Sequence, residues 1–514
     1  MPTAAFANLG CKVNQYETER IADSFERLGF TLTDFDAPAD VYVINTCSVT
    51  GAADRKSRHL ARKAARQSPG ARVVLTGCFA QTALDTGEAV EGATLLVPNA
   101  QKMRAAAHVL SAFPDLIQYS SSPASEAAGP HPGASRPPSP IRMGDGPVTT
   151  ALMPLDEWHS AVVSGPSPAE PGEGGRGTSR GGGLPVAVFP EDLISPASLA
   201  ERPQALHRTR GTLKVQDGCT YFCAFCSIPY TRATLASRAF ADVVAEARQM
   251  AEQGIKEVVV TGVCVGAYGP ETGSGGARLA EVLLAVADIP GIARVRLSSV
   301  QPVEVPDEII RAMATHPHIA PHLHLSLQSG DDTMLRAMNR PYDTRFFAEH
   351  VARLRAAIPR IGLTTDLIVG FPGETRALFE NTLAFAARIG FARTHVFRYS
   401  PRPRTAAAER TDDVPPEEKE CRHRELSDVC LASQRAFAAA ELGQTAPVLV
   451  EGRGRGAGWL SGYTGNYIRV QFEAPPTLRG EIVPVTLTDI TPDGDALGVL
   501  SFPGREGAAA QRQG

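Results

Sequence analysis

The sequence predicts an α/β chain built from three folded parts. These are an open parallel α/β sheet over residues 1–116, a partial (β/α)6 barrel over 207–438 and a small all-β barrel over 439–503. Three observations predict this. Short apolar runs alternate with helically spaced stretches in the first part, and again six times after Arg210. After about residue 440 the pattern changes to short strands punctuated by Gly and Pro. Between the first two parts lies a Pro-, Gly- and Ser-rich stretch, 117–206, that carries neither pattern.

In the first part the strand-like runs are AAFANLGC, ADVYVINTC and ARVVLTGC, separated by QYETERIADSFERLG and AADRKSRHLARKAARQ. That order is βαβαβ, which requires a parallel sheet. Each run ends in a cysteine: Cys11, Cys47 and Cys78. Open parallel sheets bind ligands beyond the carboxyl ends of their strands, so the three thiols are expected at one edge. One such cysteine reads as a buried core thiol; three in succession favour a metal site over that alternative.

From about residue 120 the stretch contains SSSPASEAAGPHPGASRPPSP and GPSPAEPGEGGRGTSRGGG, with no Lys or Cys and only Trp158 and Phe189 as aromatics. Too little apolar surface is available to offset the entropy of ordering it, so a disordered linker is expected over 117–206.

The second part reads as six strands: GTLKVQDGC, KEVVVTGVCVG, RVRLSSV, HLHLSLQSG, LTTDLIVGF and RTHVFRYS. Helical stretches such as FADVVAEARQMAEQG and RALFENTLAFAARIG separate them. Six units fall short of a closed eight-stranded barrel, and functional loops are expected at the strand C-terminal ends. Immediately after the first strand, GCTYFCAFCSIPY places Cys219, Cys223 and Cys226 in a C-x3-C-x2-C run. Three thiolates at that spacing suit three irons of a [4Fe–4S] cluster and leave the fourth iron open. Structural zinc prefers four ligands at short paired spacings, which neither triplet offers. The third part reads as TAPVLVEG, GWLSGYTGNYIRVQFE, GEIVPVTLTDI and DALGVLSF, followed by a frayed tail, 504–514.

Composition narrows the class. No apolar run reaches the ~18 residues of a membrane span. The N-terminus MPTAAFANLGC lacks a charged n-region and apolar core, so a cytoplasmic protein with no membrane partner is expected. Nine cysteines are an odd number, and six fall in the two triplets, which favours metal ligands over disulfides. Cys264, Cys421 and Cys430 lack partners at metal spacing and read as incidental thiols. The net charge of −4 excludes global basicity, so any nucleic-acid contact must come from local patches.

Together these residues resemble the methylthiotransferase family of radical S-adenosylmethionine (SAM) enzymes. The likeness rests on both triplets, GCKVNQYETE, NTCSVTGAADRKSR, HLHLSLQSG, MNRPY and TDLIVGFPGET. The flanks of Cys11 and Cys47 are most similar to the subgroup acting on threonylcarbamoyladenosine in tRNA. The resemblance implies an N-terminal methylthiotransferase domain (1–116), a radical SAM core (207–438) and a TRAM domain (439–503). It implies conversion of N6-threonylcarbamoyladenosine, next to the anticodon at position 37, to its 2-methylthio form. Rival readings are the isopentenyladenosine and ribosomal-protein S12 versions, or a non-catalytic Fe–S/RNA-binding module. Two [4Fe–4S] clusters are implied: one on Cys219, Cys223 and Cys226 that binds and reductively cleaves SAM, and one on Cys11, Cys47 and Cys78 that handles sulfur. SAM would serve as radical source and methyl donor.

Phe225 would lie against the SAM adenine, or else be a core aromatic. Gly262, Ser326, Gln328 and Asp366, near strand ends, would meet SAM or substrate, or else stabilise the fold. Implied partners are tRNA and a flavodoxin- or ferredoxin-like electron donor; the sulfur donor is not identified. For RNA, the helix after Cys47 carries Arg55, Lys56, Arg58, Arg62, Lys63 and Arg66 against only Asp54. It reads as a phosphate-binding stripe or as a solvated charged face. Arg398, Arg402 and Arg404 follow the sixth barrel strand and are further candidates, and Tyr463 and Tyr467 would supply aromatic contacts in the last part. Three departures from the family pattern stand out. A Gly is missing after Cys226 in IPYTRATLASRAF, Gln301 replaces a usual Glu, and Arg404 replaces a Gly that permits a tight turn.

Overall fold

Strands β1 (Thr3–Asn8), β3 (Val41–Thr46) and β4 (Arg72–Gly77) run parallel and adjacent, with β2 (Thr31–Thr33) beyond β1 and β5 (Leu95–Leu96) beyond β4. This computed structural model describes residues 1–116 and 209–501; the predicted linker, 117–206, and tail, 504–514, lie outside the described residues. Every residue of β3 is buried because helices cover both faces of the sheet. Phe6, Val41, Val43 and Val74 meet Ile21 and Phe25 of α1 (Lys12–Arg27) and Val109 of α4 (Ala105–Ala112). On the other face Tyr42, Ile44, Val73 and Leu75 meet Ala61 and Ala64 of α2 (Gly51–Gln67) and Phe79 of α3 (Cys78–Thr86).

The central part has six parallel strands in chain order: β6 (Arg210–Asp217), β8 (Glu257–Gly262), β9 (Arg294–Leu297), β11 (His322–Leu325), β12 (Gly362–Val369) and β13 (Arg393–Arg398). The short β7 (Ala236–Ser237) pairs antiparallel with β6. β10 (Ser299–Val300) continues β9 past Ser298 and carries the pairing over to β11. Alternation along the strands splits the residues cleanly. Leu213, Val258, Val260, Val295, Leu297, Leu323, Leu325, Leu363 and Leu367 share the apolar core with α6 (Phe240–Glu252), α7 (Leu279–Ala287), α8 (Asp307–Thr315), α10 (Thr344–Ala357) and α11 (Arg376–Ile389). The opposite face, the inside of the arc, is polar. It carries Lys214, Gln216, Glu257, Thr261, Arg294, Arg296, His322, His324, Thr364, Asp366, Arg393 and His395. A six-stranded α/β arc therefore stands as expected, with a lumen too polar to be a packed core.

α12 (Pro416–Ala439) leads to a closed barrel of order β14-β15-β16-β18-β17. Its strands are β14 (Thr445–Arg453), β15 (Trp459–Tyr463), β16 (Arg469–Glu473), β17 (Ile482–Ile490) and β18 (Ala496–Leu500). Val448, Val450, Val470, Phe472, Val485 and Leu487 fill it. This barrel is fastened to the N-terminal ends of β6, β8 and β9. Glu257, fully buried, takes Arg294 Nε at 2.5 Å and Arg296 Nε at 2.8 Å, with Arg210 Nε at 3.4 Å. The two inner arginines then donate to carbonyls of Pro447, Tyr463, Thr464 and Gly465. Tyr467 stacks on His322 with ring centroids 4.3 Å apart, and Arg210 lies over both Tyr463 and Tyr467. The expectation that Tyr463 and Tyr467 offer faces to RNA is therefore corrected: both are engaged in the junction between the barrels.

Candidate functional site

Cys11, Cys47 and Cys78 follow β1, β3 and β4, three neighbours in one sheet. The register that aligns Asn8 with Asn45 and Thr46 with Gly77 brings the three strand ends level. Two glycines make the approach close. At Gly10 (φ +96°) an added Cβ would lie 2.6 Å from Cys47 Sγ, and at Gly77 (φ +91°) it would lie 2.4 Å from the Thr46 carbonyl oxygen. Asn14 ties the turns together by donating to the carbonyls of Leu9 and Thr46 at 3.0 and 2.8 Å. Burial raises the Cys47 thiol to about 11, with Cys78 and Cys11 adding to the rise, while Cys11 is the exposed member of the triplet.

The second triplet lies in the loop between β6 and α5 (Ile228–Thr231). Arg340 Nη1 donates to Cys223 Sγ at 3.1 Å, while Nη2 reaches the Ser326 carbonyl at 3.0 Å. A hydrogen bond from Cys264 brings Cys219 down to about 7, and Cys264 Sγ also stands 2.8 Å from Glu304 Oε1. Cys264 is thus not an incidental thiol: the fold seats it behind Cys219. Burial raises Cys226 to about 12, and the groups that act on it include Cys223, Cys219 and also Cys78 of the other triplet. Asn99 links the two sides. Its Nδ2 donates to the Thr231 carbonyl at 3.0 Å and lies 4.0 Å from Cys78 Sγ.

All nine cysteines are free. Among the described residues, no three His, Cys, Asp or Glu side chains converge as the ligands of a single metal ion would. A cubane's irons stand apart, so its thiolates need not meet at one point. Each triplet gathers three soft donors on one loop edge without a disulfide, and a cationic donor already faces Cys223. Three thiolates are the donor set that three irons of a [4Fe–4S] group would take, whereas structural zinc takes four ligands and neither triplet supplies a fourth.

A buried ionic clasp holds the two triplets together. The Glu17 carboxylate accepts from Lys214 at 2.7 Å, Lys102 at 2.6 Å and both Nη atoms of Arg232 at 2.8 and 2.7 Å. Arg232 Nη1 also reaches Asp217 at 2.9 Å, and its carbonyl receives the Cys219 N–H at 3.2 Å. A second contact joins Arg20 and Tyr16 of α1 to Glu246 of α6. Lys12, next to Cys11, is half-buried and opens α1. Burial, with Arg210 and Arg296, lowers its ammonium to about 8 against the opposing pull of Glu257 and Asp366.

Phe225 is half-buried against Ala224, Met334, Met338, Ile368 and Phe371. Gly262 ends β8, where an added Cβ would lie 2.9 Å from Gln216 Oε1. The Ser326 carbonyl is occupied by Arg340 and Tyr342. Gln328 has φ +76°, and its backbone pairs with Asp366 and Ile368. The Asp366 carboxylate stands 3.3 Å from His324 Nε2. Ser326, Gln328 and Asp366 thus share one side of the lumen mouth.

The basic stripe changes character in three dimensions. Arg58 meets Glu88 at 2.7 Å, Arg62 meets Glu91 at 3.5 Å and Lys63 meets Asp36 at 2.5 Å. A count of acids within the helix missed these because they come from other elements. Arg55 and Lys56 are exposed and have no acid partner among the described residues. Arg398 pairs with Glu420, and Arg402 is buried on Asp54 at 2.5 Å. Arg402 is therefore a bracket between α2 and the loop after β13 rather than a free phosphate ligand. Of the three departures, Ala233, which follows Arg232 where the Gly is missing, is exposed and has no positive φ. Gln301 is buried, with its N–H on Glu304 Oε2 at 3.0 Å. Arg404 does hold φ +67°, and its side chain reaches Asp85 at 2.6 Å across the Tyr230 ring.

Residues 213–386 match the Radical SAM superfamily, and residues 3–97 match Uncharacterized protein family UPF0004. The threonylcarbamoyladenosine tRNA methylthiotransferase MtaB of Bacillus subtilis (strain 168) is 33% identical over 95% of this chain and 94% of its own. Its counterpart of the same name in Thermotoga maritima is 32% identical over 92% of each chain. The tRNA-2-methylthio-N(6)-dimethylallyladenosine synthase of Alkalilimnicola ehrlichii is 33% identical over 95% of this chain and 96% of its own.

Proposed function

The chain belongs to the methylthiotransferase family of radical SAM enzymes, and we propose that it converts N6-threonylcarbamoyladenosine at position 37 of tRNA to the 2-methylthio nucleoside. The family implies a [4Fe–4S] cluster and SAM. In this reading Cys219, Cys223 and Cys226 hold that cluster, and Cys11, Cys47 and Cys78 hold a second. When bound, the first supplies reductive cleavage of SAM and the second the sulfur that becomes the methylthio group.

The observation that carries the proposal is the junction itself. The two cysteine triplets, from different parts of the chain, meet across Asn99, whose Nδ2 donates to the Thr231 carbonyl and lies 4.0 Å from Cys78 Sγ. The chain's own groups prepare the place. Arg340 Nη1 donates to Cys223 Sγ and holds that side chain against the Ser326 carbonyl. Glu17 and its three cations fix the distance between the two sides. Gln216 orders the loop after β8 by accepting from the Cys264 N–H at 2.8 Å. The closed C-terminal barrel, read as TRAM-like, and the exposed Arg55 and Lys56 are the proposed tRNA contacts. An electron donor of the flavodoxin or ferredoxin kind completes the reaction. No helix among the described residues is long and apolar enough to cross a membrane.

Relatives acting on threonylcarbamoyl and dimethylallyl nucleosides are about equally similar at 33% identity, so overall similarity does not choose the base. The flanks of Cys11 and Cys47 do. A nucleoside digest of tRNA from a deletion strain without a redundant enzyme tests the choice. Loss of the 2-methylthio threonylcarbamoyl nucleoside supports the proposal; loss of the 2-methylthio dimethylallyl nucleoside instead refutes it.

A further inference from the structure

Lys12 opens α1 one residue after Cys11. The residue is half-buried at the start of α1, the helix that packs against β6 and β8. Its charge acts on Arg210, Arg296, His322, Asp366 and His395, groups contributed by five different strands to the polar lumen. The other lysine of this face is fully committed: Lys214 bonds Glu17 and Asp217. The acids near Lys12 are committed as well. Glu257 is surrounded by Arg210, Arg294 and Arg296, and Asp366 stands against His324. Among the described residues Lys12 itself has neither a hydrogen bond nor an ion pair. A half-buried ammonium beside arginines and without an anion of its own is costly, so its retention calls for an anion that arrives with a ligand.

The proposed substrate provides one. A threonylcarbamoyl group on N6 ends in a carboxylate, whereas a dimethylallyl group on N6 is a hydrocarbon. C2 and N6 lie on the same edge of adenine, on either side of N1. A base that presents C2 to the site beside Cys11 therefore extends its N6 substituent into the neighbouring lumen. We propose that Lys12 binds the carboxylate of the threonylcarbamoyl side chain and thereby sets the enzyme's preference for this base. The inference rests on the function proposed above. Asp366 opposes the incoming carboxylate and turns toward His324, and Arg393, at the N-terminal end of β13, points its Nη1 to Tyr463 Oη at 3.5 Å in the junction with the C-terminal barrel; Lys12, beside Cys11, is the cation next to the sulfur-handling triplet.

The test compares two anticodon stem-loop RNAs, one carrying N6-threonylcarbamoyladenosine and one in which its carboxylate is a neutral amide. Affinity and methylthiolation are measured with reconstituted wild type, Lys12→Met and Lys12→Arg, all matched for iron content. Wild type should bind the acid roughly ten- to a hundredfold more tightly than the amide, as a charge-assisted hydrogen bond would give. Lys12→Met should bring that ratio close to one, and Lys12→Arg should keep most of it. The inference is overturned if wild type binds both RNAs equally or if Lys12→Met keeps the preference. It is also overturned if Lys12→Met changes only the KM for SAM, which would assign Lys12 to the SAM carboxylate. Wild type that modifies a dimethylallyl stem-loop and ignores the threonylcarbamoyl one defeats the function proposal, and this inference with it. Modification of the threonylcarbamoyl RNA with an unchanged acid-to-amide ratio in Lys12→Met defeats the inference alone.

Discussion

Glu17→Gln should loosen the N-terminal sheet from the central barrel. The carboxylate is fully buried and receives charged donors from Lys102, Lys214 and Arg232, which lie in three separate segments. With the charge removed, Arg232 keeps Asp217 and the Asn14 side-chain oxygen at 2.9 Å, Lys214 keeps Asp217, and Lys102 keeps the Asn99 side-chain amide oxygen at 2.7 Å. Breaking a buried pair from one side costs about 3–5 kcal/mol, and the remaining acceptors place this case near the lower end. At 1.4 kcal/mol per factor of ten, the opening equilibrium of the junction should rise by roughly a hundredfold or more. Amide hydrogen exchange of residues 12–27 and 210–217 reads that change directly. Asp36→Asn, which breaks the exposed pair with Lys63, is the control and should cost about 0–1 kcal/mol. Exchange in Glu17→Gln within about fivefold of wild type would refute the clasp, since about 1 kcal/mol is what a surface change yields. The pH dependence has a defined sign. Burial alone would raise the Glu17 carboxyl, but Arg232, Lys102 and Lys214 outweigh it and hold the group well below its ordinary 4.5. The stabilisation is therefore fully present above about pH 4.5 and is lost as pH falls toward the depressed folded value.

The junction at the other end of the barrel should behave similarly. Burial of Glu257 is outweighed by Arg296, Arg294 and Arg210, which lower its carboxyl to about 2, so acid between about pH 4.5 and 2 should release the C-terminal barrel to limited proteolysis. Glu257→Gln should show the same release at neutral pH, and an intact junction in that variant would contradict the assignment. At Arg404, φ +67° favours glycine, while the side chain contributes its Asp85 contact. Arg404→Gly should therefore be more stable than Arg404→Ala by about 1 kcal/mol in chemical denaturation, because both lose the contact and only alanine keeps the strain. Equal stability would remove the strain argument.

Periodicity made the three strand-end cysteines and the six-stranded arc legible, because buried parallel strands leave long apolar runs. β2 and β5 escaped because strands of three and two residues carry no period. The clasp was invisible for a different reason. Glu17 and Arg232 are 215 residues apart, and neither position looks unusual in its own segment. The same blindness inflated the basic stripe, whose neutralising Glu88, Glu91 and Asp36 lie outside the helix. Cys264 lacked metal spacing in the sequence, yet the turn after β8 brings it to Cys219. The missing glycine at Arg404 was the one departure whose physical consequence was readable in advance: a turn that needs positive φ keeps it even when an arginine occupies the position.

The central claim is that both triplets hold clusters at one junction. Iron and sulfide analysis of anaerobically reconstituted protein tests it most directly, on wild type, Cys47→Ala and Cys223→Ala. The account predicts about eight irons per chain in wild type and about four in each variant, with SAM cleavage retained by Cys47→Ala and lost in Cys223→Ala. About four irons in wild type, all removed by Cys223→Ala and none by Cys47→Ala, would contradict it.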